Sequence, residues 1–278
     1  MNLSPNKSQI ATTLFKSLLA ASAILPMWVQ PVLAHVLWFD YKGGEYNLLF
    51  GHPELNELEP LLPTKLKTVT AYDPNKQLVP YSLKQKPDGM SLVSNGNVAA
   101  ITGFYDNGFW VKKSENDYEN VSESEAVQYN TNYEVGHYVK YAKALYNWSE
   151  ALSKPFELPL EIMALKNPFE VKMGEFLPIQ VLYQGNLTKN ATVEYLGETL
   201  TINEDGIAFV PIGQDGLQTI EASYSLLLDN DAAADKVSYA ATLSAQNKSV
   251  PEPSALLGIG ALALMAIANR GSIHKKAS

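Results

Sequence analysis

The chain has 278 residues, with 21 basic and 29 acidic side chains, four histidines and no cysteine. Its net charge of −8 argues against nucleic acid or an anionic lipid surface as a partner, because an acidic body is repelled by both. Without cysteine there is no disulfide framework and no thiolate metal site. A bound transition metal would therefore need nitrogen and oxygen ligands, which suits nickel, cobalt, copper or zinc.

Residues 1–34 read as a signal peptide. They carry Lys7 and Lys16 and no acidic residue, then an apolar run from Leu18 to Val29, then Val32 and Ala34 at the −3 and −1 positions of a cleavage site. A retained anchor would need about 20 apolar residues, and Pro26 and Gln30 interrupt the run too early. Cleavage after Ala34 makes His35 the first residue, with 19 basic against 29 acidic side chains left in the chain. A histidine there offers a metal its free α-amine and its imidazole together. A cut after Ala21 or Ala23 would abolish that chelate.

The body, 35–250, is long enough for two modest domains and reads as all-β. Val36–Phe39 and Tyr46–Phe50 are short apolar or aromatic runs separated by Lys42-Gly43-Gly44, the pattern of a hairpin. Strands are expected at Lys67–Ala71, Val98–Phe104 and Phe109–Lys112, with turns at Asp73-Pro74-Asn75, Pro87-Asp88-Gly89 and Asp106-Asn107-Gly108. The polar, acidic stretch Glu115–Asn132 reads as a long exposed loop, with a lid as its functional version. Gly136–Leu152 fits either a helix or a strand, and its aromatics favour a strand at its start. A boundary near Ser153-Lys154-Pro155 divides a β-sandwich over 35–153 from a second over 154–245, whose turns include Asn203-Glu204-Asp205-Gly206. Residues 246–254 read as a linker, being polar and rich in proline.

Beyond Val250-Pro251-Glu252-Pro253-Ser254 come apolar residues Ala255 to Ala268, then Arg270, Lys275 and Lys276. As a helix the apolar run would cross about 21 Å, against about 30 Å of bilayer hydrocarbon, and the basic tail would stay cytoplasmic. This order over 255–278 resembles a PEP-CTERM sorting signal, which implies recognition by an exosortase. A plain single-span anchor is the alternative. Either places the body outside the inner membrane, in the periplasm or cell envelope, tethered by the helix or released after processing.

Three histidines, His35, His52 and His137, fall in the first predicted domain, and His274 lies in the basic tail. A hairpin turning near Gly43-Gly44 puts His35 and His52 at the same end. His137 would complete a three-imidazole metal site if its strand passed beside them. Asp40, Glu54 and Glu57 are candidates for a carboxylate ligand or for a hydrogen bond that orients an imidazole. Lys140 and Lys143 are read as solvated or as facing the acidic residues 115–125. No nucleophile–base signature, phosphate loop or paired carboxylate points to an enzyme.

His35-Val36-Leu37-Trp38, Phe50-Gly51-His52-Pro53-Glu54, Lys140-Tyr141-Ala142-Lys143-Ala144-Leu145, Gly174–Val181 and Asp205–Ala208 together resemble a family of exported proteins associated with nickel and cobalt uptake. That resemblance implies a pair of immunoglobulin-like sandwiches that hold a divalent metal, nickel or cobalt, outside the membrane and pass it to a transporter. The runner-up expectation is a structural or adhesive protein of the envelope or extracellular matrix, sorted by its C-terminal signal. A copper oxygenase built on the N-terminal histidine is a third class.

Overall fold

The computed structural model describes residues 35–246. The expected signal peptide, the linker after Gln246, the apolar segment 255–278 and His274 lie outside the described residues. Numbered in chain order, the strands are β1 (Val36–Lys42), β2 (Glu45–His52), β3 (Glu57–Leu58), β4 (Leu66–Tyr72), β5 (Ser82–Lys86), β6 (Gly89–Val93), β7 (Ala100–Ser114), β8 (Asp117–Val121) and β9 (Glu134–Leu145). They continue as β10 (Leu160–Ala164), β11 (Phe176–Tyr183), β12 (Asn186–Leu187), β13 (Thr192–Tyr195), β14 (Glu198–Leu200), β15 (Ile207–Pro211), β16 (Ile220–Leu227) and β17 (Lys236–Ala245). One short helix, α1 (Glu123–Tyr129), and a 3-10 turn at Pro63–Lys65 complete the described residues. The all-β expectation holds.

Three sheets form. A large one runs β14-β13-β16-β17-β9-β7-β4, with β8 added beside β7; a second runs β1-β2-β6-β5, with β3 beside β2; a third runs β10-β11-β12, with β15 beside β11. Strands from both sides of the expected boundary at 153–155 meet in the large sheet, where β9 and β17 pair in parallel from Gly136–Lys236 to Leu145–Ala245.

Strand β9 explains why its sequence was ambiguous. Ala142 and Ala144 pack into a core with Leu37, Phe39, Leu48 and Ile101. Val139, Tyr141 and Leu145 pack into another core with Leu160, Ile162, Leu177 and Leu243. Successive side chains of a strand point to opposite faces, so the two cores lie on the two faces of the large sheet. A strand covered on both faces loses the polar alternation that normally marks it.

Two expectations are corrected. Asp106-Asn107-Gly108 is no turn: β7 runs through it, and its register against β9 shifts between Asp106 and Gly108. The Asp106 carboxylate accepts the Gly108 N–H, and Gly108 takes a φ of +82°. These turn-type residues build a bulge within a strand. Nor is Glu115–Asn132 a loop. Tyr118, Glu119, Asn120 and Val121 pair with β7, and Ser122 and Glu125 form a reciprocal capping box that starts α1. Ala126 of that helix is buried with Val111 and Val135, which removes the lid reading.

The second sheet meets the large one through the free edge of β1. Thr242 Oγ1 donates to the Leu37 carbonyl at 2.6 Å, and Ser244 Oγ to the Phe39 carbonyl at 3.1 Å. The Tyr41 N–H donates to Gln246 Oε1 at 2.6 Å. Every second residue of β17 and its extension thus meets every second residue of β1. An exposed strand edge carries unpaired backbone groups, and here hydroxyls and an amide satisfy them.

Candidate functional site

The β1–β2 hairpin pairs Val36 with Gly51, which sets His35 opposite His52. Their ring centroids lie 4.6 Å apart at 70°, and His35 also meets the Phe50 ring edge-on at 5.6 Å. Gly51 makes the corner possible. Its φ is +138°, and a Cβ there would stand 2.3 Å from the Glu57 carbonyl oxygen, so the 53–58 loop can fold back closely only on glycine. That loop brings Glu54 Oε1 to 3.2 Å from His52 Nδ1. His52 is 9% exposed, and the Glu54 side chain is 22% exposed.

The large sheet supplies the other wall. On β13 and β16, Val193, Tyr195, Ile220 and Ala222 fill one core, so the alternating Glu194 and Glu221, paired across the strands, face the other way. Lys140 of β9 lies on that face too, in register with Ala240. Burial, together with repulsion from Glu54 and Glu194 and a hydrogen bond shared with Glu54, pushes the Glu221 carboxyl up to about 8. Burial depresses Lys140 to about 8 against the opposing pull of Glu221. Lys140 is 2% exposed, and its ammonium approaches the Tyr138 ring at 5.9 Å. His35 is held below its ordinary value by burial first and then by His52, with Lys140 adding to the effect and Glu59 and Glu54 opposing it. Burial therefore favours its neutral form, the form that binds metals.

His137 is elsewhere. It alternates with Tyr138 and Lys140 on β9, so its ring lies on the opposite face, stacked on Phe109 at 4.4 Å. Its Nε2 meets Asp106 Oδ1 at 2.8 Å, and that bond holds the Asp106 carboxyl below its usual range. The structure brings His35 and His52 together and leaves His137 apart. Asp40 accepts from Gln246 Nε2 at 2.8 Å, and Glu57 is exposed on β3. Among the described residues, no three His, Asp or Glu side chains form a group able to hold a metal ion.

The lysines correct the sequence reading: neither is solvated and neither faces 115–125. Lys143 donates to Glu161 at 2.6 Å, both being almost fully buried, and Glu161 also accepts the Phe156 N–H. Glu194 and Glu221 were not singled out from sequence, although each is flanked by apolar residues at period two, which marks a side chain on the second face of a strand.

The chain belongs to the family described as a domain of unknown function, DUF4198, whose pattern matches residues 32–226. That span includes the hairpin, Lys140, Glu194 and Glu221. Neither a curated protein nor a solved structure matches the chain.

Proposed function

We propose that the chain, cut after Ala34, is an exported protein that holds one divalent ion, nickel or cobalt, and serves metal uptake as an accessory to a transporter. The observation that carries this reading is the facing pair of imidazoles, His35 and His52, 4.6 Å apart at the start of the body. Cleavage would add the His35 α-amine, a third nitrogen on the same residue. Glu54 suits the supporting role: with Nδ1–H of His52 donated to it, the His52 Nε2 lone pair is left for a metal. His137, engaged by Asp106, is no ligand in this reading. The reading also takes the layers on the two faces of the large sheet as immunoglobulin-like sandwiches that share it.

The test is nickel binding to protein that begins at His35, to a form with one residue added before it, and to the His52→Ala and His137→Ala variants. One nickel is expected per chain. Extension or loss of His52 should weaken binding about tenfold or more, on the scale seen when metal-site groups are removed, and loss of His137 should leave it unchanged. Equal affinity in the extended form would sink the chelate.

A second reading, a structural or adhesive envelope protein, is favoured by the lack of a three-side-chain metal group among the described residues. It predicts no stoichiometric metal in any of these forms and an intact fold when all three histidines are replaced.

A further inference from the structure

We infer that a cleft on the outer face of the β1–β2 hairpin binds a linear aliphatic polyamine, a ligand whose ammonium groups are joined by hydrocarbon. The site is separate from the imidazole pair. Side chains alternate along a strand, so Trp38, Asp40, Asn47 and Leu49 lie on the face opposite Leu37, Phe39, Leu48 and Phe50. His35 and His52 belong with the second set, and the cleft is lined by the first. It needs no metal.

The cleft encloses about 490 Å³, within the roughly 300–1,000 Å³ range of small-molecule sites. One wall is the hairpin face; the other comes from Leu196 in the β13–β14 turn and from Gln218 and Thr219 just before β16. Trp38 and Leu49, paired across the hairpin, form an apolar middle. Asp40 lies beyond them toward the hairpin turn. Glu54 lies beyond them at the other end, past Gly51, the partner of Val36. The backbone from Asp40 to Val36 covers about 13 Å at the usual rise of a strand. That is too wide for one ion to bridge, since oxygen ligands sit about 2.0–2.6 Å from a metal. It suits two cations carried on one aliphatic chain, with the hydrocarbon over Trp38 and Leu49.

Charge favours the same ligand. Asp40, Glu54 and Asp88 line the cleft against Lys42 and Lys86, and Lys86 is already paired with Glu45. Lys42, exposed at the hairpin turn, is then the opposing cation of the lining. Asp40 accepts from Gln246 Nε2 through Oδ1 and Glu54 meets His52 through Oε1, but a carboxylate has about four acceptor sites. Leu196 adds a steric argument. It is 55% exposed at a φ of +54°, the left-handed region where asparagine or glycine is usual in a two-residue hairpin turn and a bulky side chain is strained. An exposed leucine returns little to the fold for that strain. Hydrocarbon lying in the cleft would cover it, together with Leu58 on the same lining.

Isothermal titration calorimetry of protein beginning at His35, in metal-free buffer of low ionic strength, tests this with spermidine. One spermidine should bind per chain, and butylamine, with a single ammonium, should bind about tenfold more weakly. Asp40→Asn should weaken spermidine about fivefold and Lys42→Gln should strengthen it about twofold, the scale of exposed ion pairs. Asp229→Asn, at an exposed position away from the cleft, should change nothing. Leu196→Asn should weaken spermidine about fourfold, the loss of roughly one buried methylene, while raising the urea midpoint, because asparagine tolerates the left-handed turn. Failure of the unaltered protein to bind spermidine would overturn the site, as would butylamine binding equally well. Unchanged affinity in either Asp40→Asn or Leu196→Asn would also overturn it. So would an equal loss in Asp229→Asn, which would reduce the attraction to the acidity of the whole chain. With nickel absent throughout, none of these results depends on the metal reading.

Discussion

At the scale of single residues, the most consequential pair is Lys140 and Glu221. Both are brought to about 8 from opposite directions, and the two act on stability with opposite signs. Lys140 is depressed on folding, so its stabilising contribution is complete above pH 10.5 and is lost as pH falls through 8. Glu221 is raised on folding, so its contribution is complete below pH 4.5 and is lost as pH rises through 8. The two together should place a minimum of stability near pH 8. Urea midpoints at pH 6, 8 and 10 measure it. Lys140→Met should flatten the rise on the alkaline side, and Glu221→Gln the rise on the acid side. An unchanged profile in both variants would remove the pair from the pH response.

At the scale of elements, the contact between β1 and β17 is the feature most open to a decisive change. Thr242→Val keeps the shape and β-propensity of the side chain but leaves the buried Leu37 carbonyl without its donor. An unmade buried hydrogen bond costs about 1–3 kcal/mol, which should appear as a lower urea midpoint at unchanged slope. Nickel affinity should fall with it, because His35 stands two residues before Leu37. The hairpin itself is readable from sequence: the turn near Gly43-Gly44 and comparable distances from it put His35 and His52 at the same end, where the structure has them. Other elements are not. Turn residues at 106–108 became a bulge because β9 and β8 flank β7 and hold it extended. Polar residues at 117–129 became a strand and a helix because β7 offered an edge and Ser122 a cap. Pairing partners and caps decide such cases, and local polarity does not reveal them.

At the scale of the whole molecule, the parallel pairing of β9 with β17 joins segments that the sequence divides. Two cores on the two faces of one sheet should unfold as one unit, so a single transition, coincident by near- and far-ultraviolet circular dichroism, is expected. A fragment ending at Ser153 should not fold by itself, since β9 would lose its neighbour and the cover of one face. Two separated transitions, or a folded fragment, would show the halves to be independent. The candidate site explains why long-range placement escaped the sequence. Glu54, close to His52 in the chain, is one of three carboxylates that the sequence offers to an imidazole, with Asp40 and Glu57, whereas Glu221 and Lys140 become neighbours only through the order of strands in the large sheet. His137 stands apart from His35 and His52 because one step along β9 decides which face a side chain occupies.

The hydroxyls of Thr242 and Ser244 hold carbonyls 205 positions earlier in the chain. The free edge of β1 is therefore closed by side chains that arrive only when almost all of the described chain has been made. Until β17 is in place the first hairpin carries unsatisfied backbone carbonyls, so the earliest segment of the fold is among the last to be completed.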